Sequence, residues 1–209
     1  MDEVLNRCHF LEVDMQLQNQ VKLQNIHLWS IEGYHRMIEN GLLTHDDRVE
    51  LLEGIVSNMS PKGVSHVIIG RWIAERFRER LGERFYLITQ DPITLTEQGS
   101  EPEPDITIAR GSMFDYTEHH PYPEDILLVI EVADSSIEID KKIKMPIYAK
   151  ARIQDYWVVD IKAKEITTYR QPLEDSYQQV QVAKGRDILV PLALPEITFQ
   201  VKDLFPQGT

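Results

Sequence analysis

The sequence predicts an α+β fold, a mixed central β-sheet flanked by helices with additional β-hairpins. Three observations carry that prediction. Residues 126–133 form the most continuously apolar run in the chain, as a sheet strand covered on both faces requires. A helical pattern follows, then a second apolar run, Tyr156-Trp157-Val158-Val159, so the stretch reads as a strand–helix–strand crossover between parallel neighbours. Ile166 to Tyr169 and Tyr177 to Val182 alternate apolar and polar residues with the period of a hairpin.

Taken in order, residues 1–25 are polar, rich in Gln and Asn and weakly periodic, and read as an arm, poorly ordered or exchanged between copies. Residues 26–205 read as one domain. Ser30 is placed as the N-cap of a short helix through Met37 and Ile38 that stops near Gly41. Val49 to Met59 reads as two strands turning at Glu53-Gly54. The clearest helix spans residues 66–81: Ile69, Ile73 and Phe77 share one face, and Arg71, Glu75, Arg78 and Glu79 take much of the other. Strands are expected at Phe85 to Ile93, Asp105 to Ala109, Ile126 to Asp134 and Ile197 to Val201. A helix of about 12 residues joins the runs at 126 and 156; it carries Ile143, Ile147 and Ala151, and Pro146 within it calls for a kink or a late start.

A chain of 209 residues can bury one sizeable core. Its one cysteine, Cys8, excludes an intramolecular disulfide and a cysteine-based zinc site. The first residues show no basic stretch leading into an apolar one, and no apolar run approaches the ~20 residues of a membrane helix, so a cytoplasmic protein without a membrane partner is expected. The net charge of −12 argues against a general nucleic-acid coat protein, which neutralises phosphates with Lys and Arg. That charge is uneven. Residues 101–131 hold eight carboxylates against one arginine, and residues 140–170 hold eight cations against four carboxylates. An acidic metal pocket beside a modest basic surface fits this distribution; so do solvated loops and faces.

Glu131 is the most informative residue, because it lies inside the apolar run of the buried strand. An ionised carboxylate there is costly unless paired, and a metal ion is one of few adequate partners. Pro104-Asp105 opens another apolar run upstream, and Lys144 follows downstream on the helix. Two strand carboxylates and a lysine suggest a metal-dependent phosphodiesterase. Strand parity puts Leu127, Val129, Glu131 and Ala133 on one face and Leu128, Ile130, Val132 and Asp134 on the other. Plainer readings stand beside these. Pro-Asp is a common turn pair, Asp140 and Lys144 make an ordinary i,i+4 pair, and His66 is read as a helix-cap or surface histidine. Gln90 reads equally as a pocket residue or a structural amide.

Several blocks together resemble the Uma-type family of restriction-endonuclease-like proteins, a branch of the PD-(D/E)XK superfamily. They are Trp29-Ser30…Tyr34-His35, Asp47-Arg48-Val49-Glu50-Leu51-Leu52-Glu53-Gly54, Met59-Ser60-Pro61…His66, Glu103-Pro104-Asp105-Ile106, Val129-Ile130-Glu131-Val132, Asp140…Lys144…Tyr148 and Asp155-Tyr156-Trp157-Val158-Val159-Asp160. Each is weak alone, and the Pro-Asp, Glu-Val and Tyr-Trp-Val-Val-Asp blocks in this order and spacing are specific as a set. The resemblance implies a restriction endonuclease-like fold and Mg²⁺-dependent hydrolysis of phosphodiester bonds in DNA, with Mn²⁺ as a substitute ion. By position, Asp105 and Glu131 correspond to the metal carboxylates and Glu50 to an acid closing the site. In the superfamily the catalytic lysine stands two residues after the acid; here that residue is Ala133, and Lys144 corresponds to a relocated lysine. The competing reading is a nuclease-fold module, catalytically weak, that binds nucleic acid or a protein partner. Cutting two strands favours two related sites, hence an expected homodimer.

Overall fold

The computed structural model describes residues 26–44 and 46–206, so the arm expected at residues 1–25 lies outside the described residues. Along the chain, helix α1 (Ile31–Glu39) precedes a hairpin of β1 (Val49–Leu52) and β2 (Ile55–Asn58). Helix α2 (Val64–Arg78) leads to β3 (Phe85–Ile88), β4 (Ile106–Arg110) and β5 (Ile126–Ala133). A helical segment, α3 (residues 137–150), connects to β6 (Asp155–Asp160), β7 (Glu165–Leu173) and β8 (Ser176–Lys184). The short strands β9 (Ile188–Leu189) and β10 (Phe199–Gln200) pair near the end.

Strands β3 to β8 form one six-stranded sheet in sequence order. The pair β5–β6 is parallel, as the crossover requires, and the other neighbours are antiparallel, so the sheet is mixed. All eight residues of β5 are buried because helices cover both faces. On one face, Ile69, Ile73 and Phe77 of α2 pack on Ile108, Leu128, Ile130 and Trp157. On the other, Ile147, Tyr148 and Ala151 pack on Val129, Ala133, Tyr156 and Val158. No helix among the described residues is long and apolar enough to cross a membrane.

Local chemistry explains most boundaries. Ser30 Oγ accepts from Gly33 N–H at 3.1 Å and caps α1. Glu53 and Gly54 both have positive φ, 47° and 80°, the twist a two-residue hairpin turn needs. A side chain at Gly54 would also bring its Cβ to 2.9 Å from Leu28 Cβ.

Five expectations are corrected. Helix α2 starts at Val64 and ends at Arg78 rather than spanning 66–81. Strand β3 stops at Ile88, because Gln90 takes φ 59° and breaks the extended chain. The last strand is only Phe199–Gln200, after which Val201–Leu204 turns as a 3₁₀ helix. Leu127 does not share the Glu131 face: the β4–β5 register shifts between Ile108 and Ala109, and the bulge sends Leu127 to the α2 side beside Leu128. Ile143, the first residue of the expected apolar stripe of α3, is exposed while Ile147 and Ala151 are buried.

Candidate active site

The antiparallel register of β4 and β5 builds the centre of the site. Ile106 pairs with Ile130, so Asp105, just before β4, comes level with Glu131. The Val132 N–H donates to Asp105 Oδ2 at 2.9 Å and fastens that aspartate to the neighbouring strand. Both carboxylates line a cavity of about 240 Å³.

The β1–β2 hairpin supplies a third acid. Leu51 and Glu101 exchange backbone hydrogen bonds of 3.3 and 2.7 Å, which seats β1 against the chain leading into β4. Glu50 therefore points into the same cavity, where Oε2 accepts from Glu103 N–H at 3.2 Å.

Lys144 arrives from α3. Its Nζ lies 3.0 Å from Glu131 Oε1 and 2.9 Å from Glu50 Oε2. One turn later Tyr148 donates its hydroxyl to Glu131 Oε1 at 2.8 Å. The segment Asp140–Lys144 is a π turn, closed by Met145 N–H on the Asp140 carbonyl. Pro146 explains the break from α geometry: it has no N–H to give the carbonyl four residues back. Single π turns of this kind often occur at functional sites. The surface pairing of Asp140 with Lys144 is not what forms, since both residues are buried and Asp140 Oδ2 accepts from the Ser136 hydroxyl at 2.7 Å.

Asp105 has its own partners. Lys62 Nζ lies 3.0 Å from Oδ1, and His66 Nε2 lies 3.0 Å from Oδ2. Burial pushes the Asp105 carboxyl up, but the His66 hydrogen bond and charge, Lys62 and the Val132 amide outweigh it and leave it below its ordinary value. Glu131 goes the other way. Burial pushes it up, Lys144 pulls it back, and Asp140, Asp105 and Glu50 add repulsion, leaving it at about 8. Burial also lifts Asp140 to about 6 and raises Glu103. Burial works against charge on Lys144 as well, yet Glu131, Glu50 and Asp140 raise it above the ordinary lysine value. The lysine thus stays charged while burial favours the protonated form of Glu131 and Asp140.

The family follows from the chain as a whole. A family model described as "Uma2: Putative restriction endonuclease" matches residues 31–202. The chain belongs to the Uma2 family. No curated protein matches it. Among solved structures, a crystallised protein from Anabaena variabilis ATCC 29413, described as "a putative nuclease belonging to DUF820", aligns with a TM-score of 0.61. That alignment covers 80% of this chain and 94% of the other at 18% identity, a likeness that speaks for the fold.

In this Uma2-family chain the structure brings Asp105, Glu131, Glu50 and Lys144 around one cavity, as their sequence positions suggested. Ala133 packs among the apolar residues on the α3 side of the sheet, so the usual lysine position is part of the core. His66 corrects the sequence reading: it is buried and bonded to Asp105, not a cap or surface residue. Its signal was the apolar stripe of α2, because residue 66 extends the row of Ile69 and Ile73 by one turn. Lys62 had no signal, as it stands on an aperiodic loop. Gln90 is not a cavity residue; its backbone N–H instead bonds the Pro104 carbonyl at 3.1 Å.

The donor set suits a hard divalent cation. Among the described residues no three His, Cys, Asp or Glu side chains form a ready cage. Mg²⁺ does not need one, since it keeps waters and takes one or two carboxylates together with substrate phosphate. Burial raises the Glu131 carboxyl above its ordinary value, and a divalent ion beside it would favour the ionised form.

Proposed function

We propose that this Uma2-family chain is a Mg²⁺-dependent DNA endonuclease that hydrolyses phosphodiester bonds. The observation that carries this reading is the meeting of Asp105, just before β4, and Glu131, on β5, in one cavity with Lys144. Asp105 and Glu131 are the residues to hold Mg²⁺, and Mn²⁺ would substitute. When bound, the ion supplies a polarised phosphate and a water of lowered pKa. Lys144 contributes a fixed positive charge near the developing charge of the reacting phosphate. Held charged by two carboxylates, it has no free electron pair with which to accept a proton from water. Glu50 closes the site from the hairpin and keeps the ammonium in place, and Tyr148 orients Glu131. A homodimer would offer one such site to each strand of a duplex.

The test is nicking of supercoiled plasmid by wild type and Glu131→Ala, with Mg²⁺ and with EDTA. Cleavage by wild type that requires Mg²⁺ and is lost in the variant is expected; equal cleavage by both proteins would refute the assignment. A second reading, a nuclease-fold module that binds without cutting, is favoured by Ala133 and by the net charge of −12. It would show salt-sensitive DNA binding and no metal-dependent cleavage.

A further inference from the structure

The cavity that holds the acids and Lys144 has walls of a different character from its floor. Asp105, Glu131, Glu50 and Lys144 form the floor, and none is more than 7% exposed. One wall is the hairpin. Strand alternation and the β1–β2 register put Glu50 and Leu52 on the same face as Ser57 and Ile55, and all four line the cavity. Met59 continues that alternation two residues past Ser57 and lines it too.

The other wall is α3. Ile143 stands one turn before Ile147, which is buried in the core, yet it is 48% exposed. The π turn over Asp140–Lys144 accounts for the difference. Its wider turn takes Ile143 out of the apolar stripe, and Ile143 and Ile139 line the cavity instead. Ile55, on the hairpin, is 38% exposed. Two separate elements thus leave aliphatic side chains open over a charged floor, and such surface favours an apolar occupant.

The nucleotide that carries the scissile phosphate supplies one. Its phosphate must go down to buried acids, and its base, joined through a single sugar, comes down between the walls. A base held in a duplex stack cannot follow. The cavity, about 240 Å³, is smaller than the ~300–1,000 Å³ of pockets that enclose drug-sized molecules, so it has room for one base and not for a base pair. Nor is it built to grip a run of phosphates. Its lysines are Lys62 and Lys144, and both are already paired with its acids.

We propose that Ile55, Met59, Ile139 and Ile143 form a base-binding wall, and that the strand enters the cavity with one nucleobase unpaired and turned out of its stack. The identity of the ligand as a nucleic-acid strand rests on the nuclease reading. A supercoiled plasmid remains a substrate, because negative supercoiling eases local unpairing.

The experiment is fluorescence anisotropy of the full chain in Ca²⁺ with three labelled probes: a short single-stranded oligonucleotide, the same strand in a duplex, and a strand of equal length made of abasic sites. Wild type is expected to bind the single strand about tenfold more tightly than either of the others. Ile143→Ser and Ile55→Ser, one from each wall, should each weaken that binding about threefold to tenfold, the scale of losing half of a buried isoleucine. Neither should change binding of the abasic strand, which a merely structural defect would also weaken. Leu42→Ser, at a leucine that is exposed and outside the cavity, should change nothing.

Equal binding of base-bearing and abasic strands by wild type, or of single strand and duplex, overturns the wall, as does wild-type binding by both wall variants. Both variants weakening the abasic strand as much as the base-bearing one overturns it too. Self-association that Ile143→Ser abolishes, without base-dependent binding, overturns it in favour of a second copy. Mg²⁺-dependent cleavage at equal rates on single and double strands, with KM unchanged in Ile143→Ser, overturns the wall and leaves the nuclease reading intact. Base-dependent binding by a protein that cuts no DNA does the reverse.

Discussion

Lys144 Nζ lies 3.0 Å from Glu131 Oε1 although the two residues stand 13 positions apart, and Glu50 holds the same ammonium at 2.9 Å. Removing the lysine strands two buried carboxylates face to face. Lys144→Met should cost about 3–5 kcal/mol, the usual penalty for breaking a buried pair from one side. At about 2–4 °C for each kcal/mol, that is roughly 6–20 °C in Tm for a protein of this size. Thermal unfolding followed by circular dichroism measures it, and an unchanged Tm would mean that the ammonium does not sit between the two acids.

The Glu131 carboxyl gives stability a pH dependence. Folded, it holds its proton to about 8; unfolded, it releases it near the ordinary 4.5. Between those values the folded state binds more protons, so its stability falls as pH rises. Asp140, lifted to about 6, adds to the fall in the lower half of that window. Asp105 is depressed, so its contribution is lost only as pH falls below the ordinary carboxylate range and does not act here. The Tm of the protein in EDTA should drop between about pH 5 and 8. Metal binding must expel the retained proton, so Mg²⁺ affinity should climb across the same window. Melting curves at a series of pH values, with EDTA and with Mg²⁺, check both slopes.

Tyr148 should matter through Glu131. Its hydroxyl is buried and donates to the glutamate, so Tyr148→Phe removes one buried hydrogen bond without opening a cavity. The expected loss is about 0.5–1.5 kcal/mol in urea denaturation. If Tyr148 orients Glu131, metal affinity should also fall, which calorimetry with Mn²⁺ would register.

Placing a lysine at its usual superfamily position should fail here. Ala133 is packed among Ile147, Val158 and their neighbours, so Ala133→Lys forces an ammonium into an apolar layer. A loss of about 3 kcal/mol or more is expected, with no gain in cleavage. Higher activity in a stable Ala133→Lys protein would show that Lys144 does not fill the relocated role.

Much of this was legible in the sequence, and the limits follow physical lines. The central strands were visible because burial on both faces leaves an unbroken apolar run, as at residues 126–133. Glu131 stood out because it interrupts such a run, and Lys144 because the next helix must pack back onto the sheet. The β4–β5 bulge was invisible, since Leu127 and Leu128 are equally apolar and only the partner strand decides which way each faces. Strand β3 ends short of its expected limit, because a positive φ at Gln90 leaves little trace in residue type. Lys62 and His66 escaped for opposite reasons, one on a loop without period and the other hidden at the end of an apolar stripe. Both became site residues only when the strand register placed Asp105 against them.

The most direct test of the metal site is a crystal of the full chain soaked in Mn²⁺ and measured for anomalous scattering. The expected result is a peak beside the Asp105 and Glu131 carboxylates that disappears in Asp105→Asn. A protein that cleaves DNA with no peak between those two carboxylates, or with its peak elsewhere, would contradict the assignment.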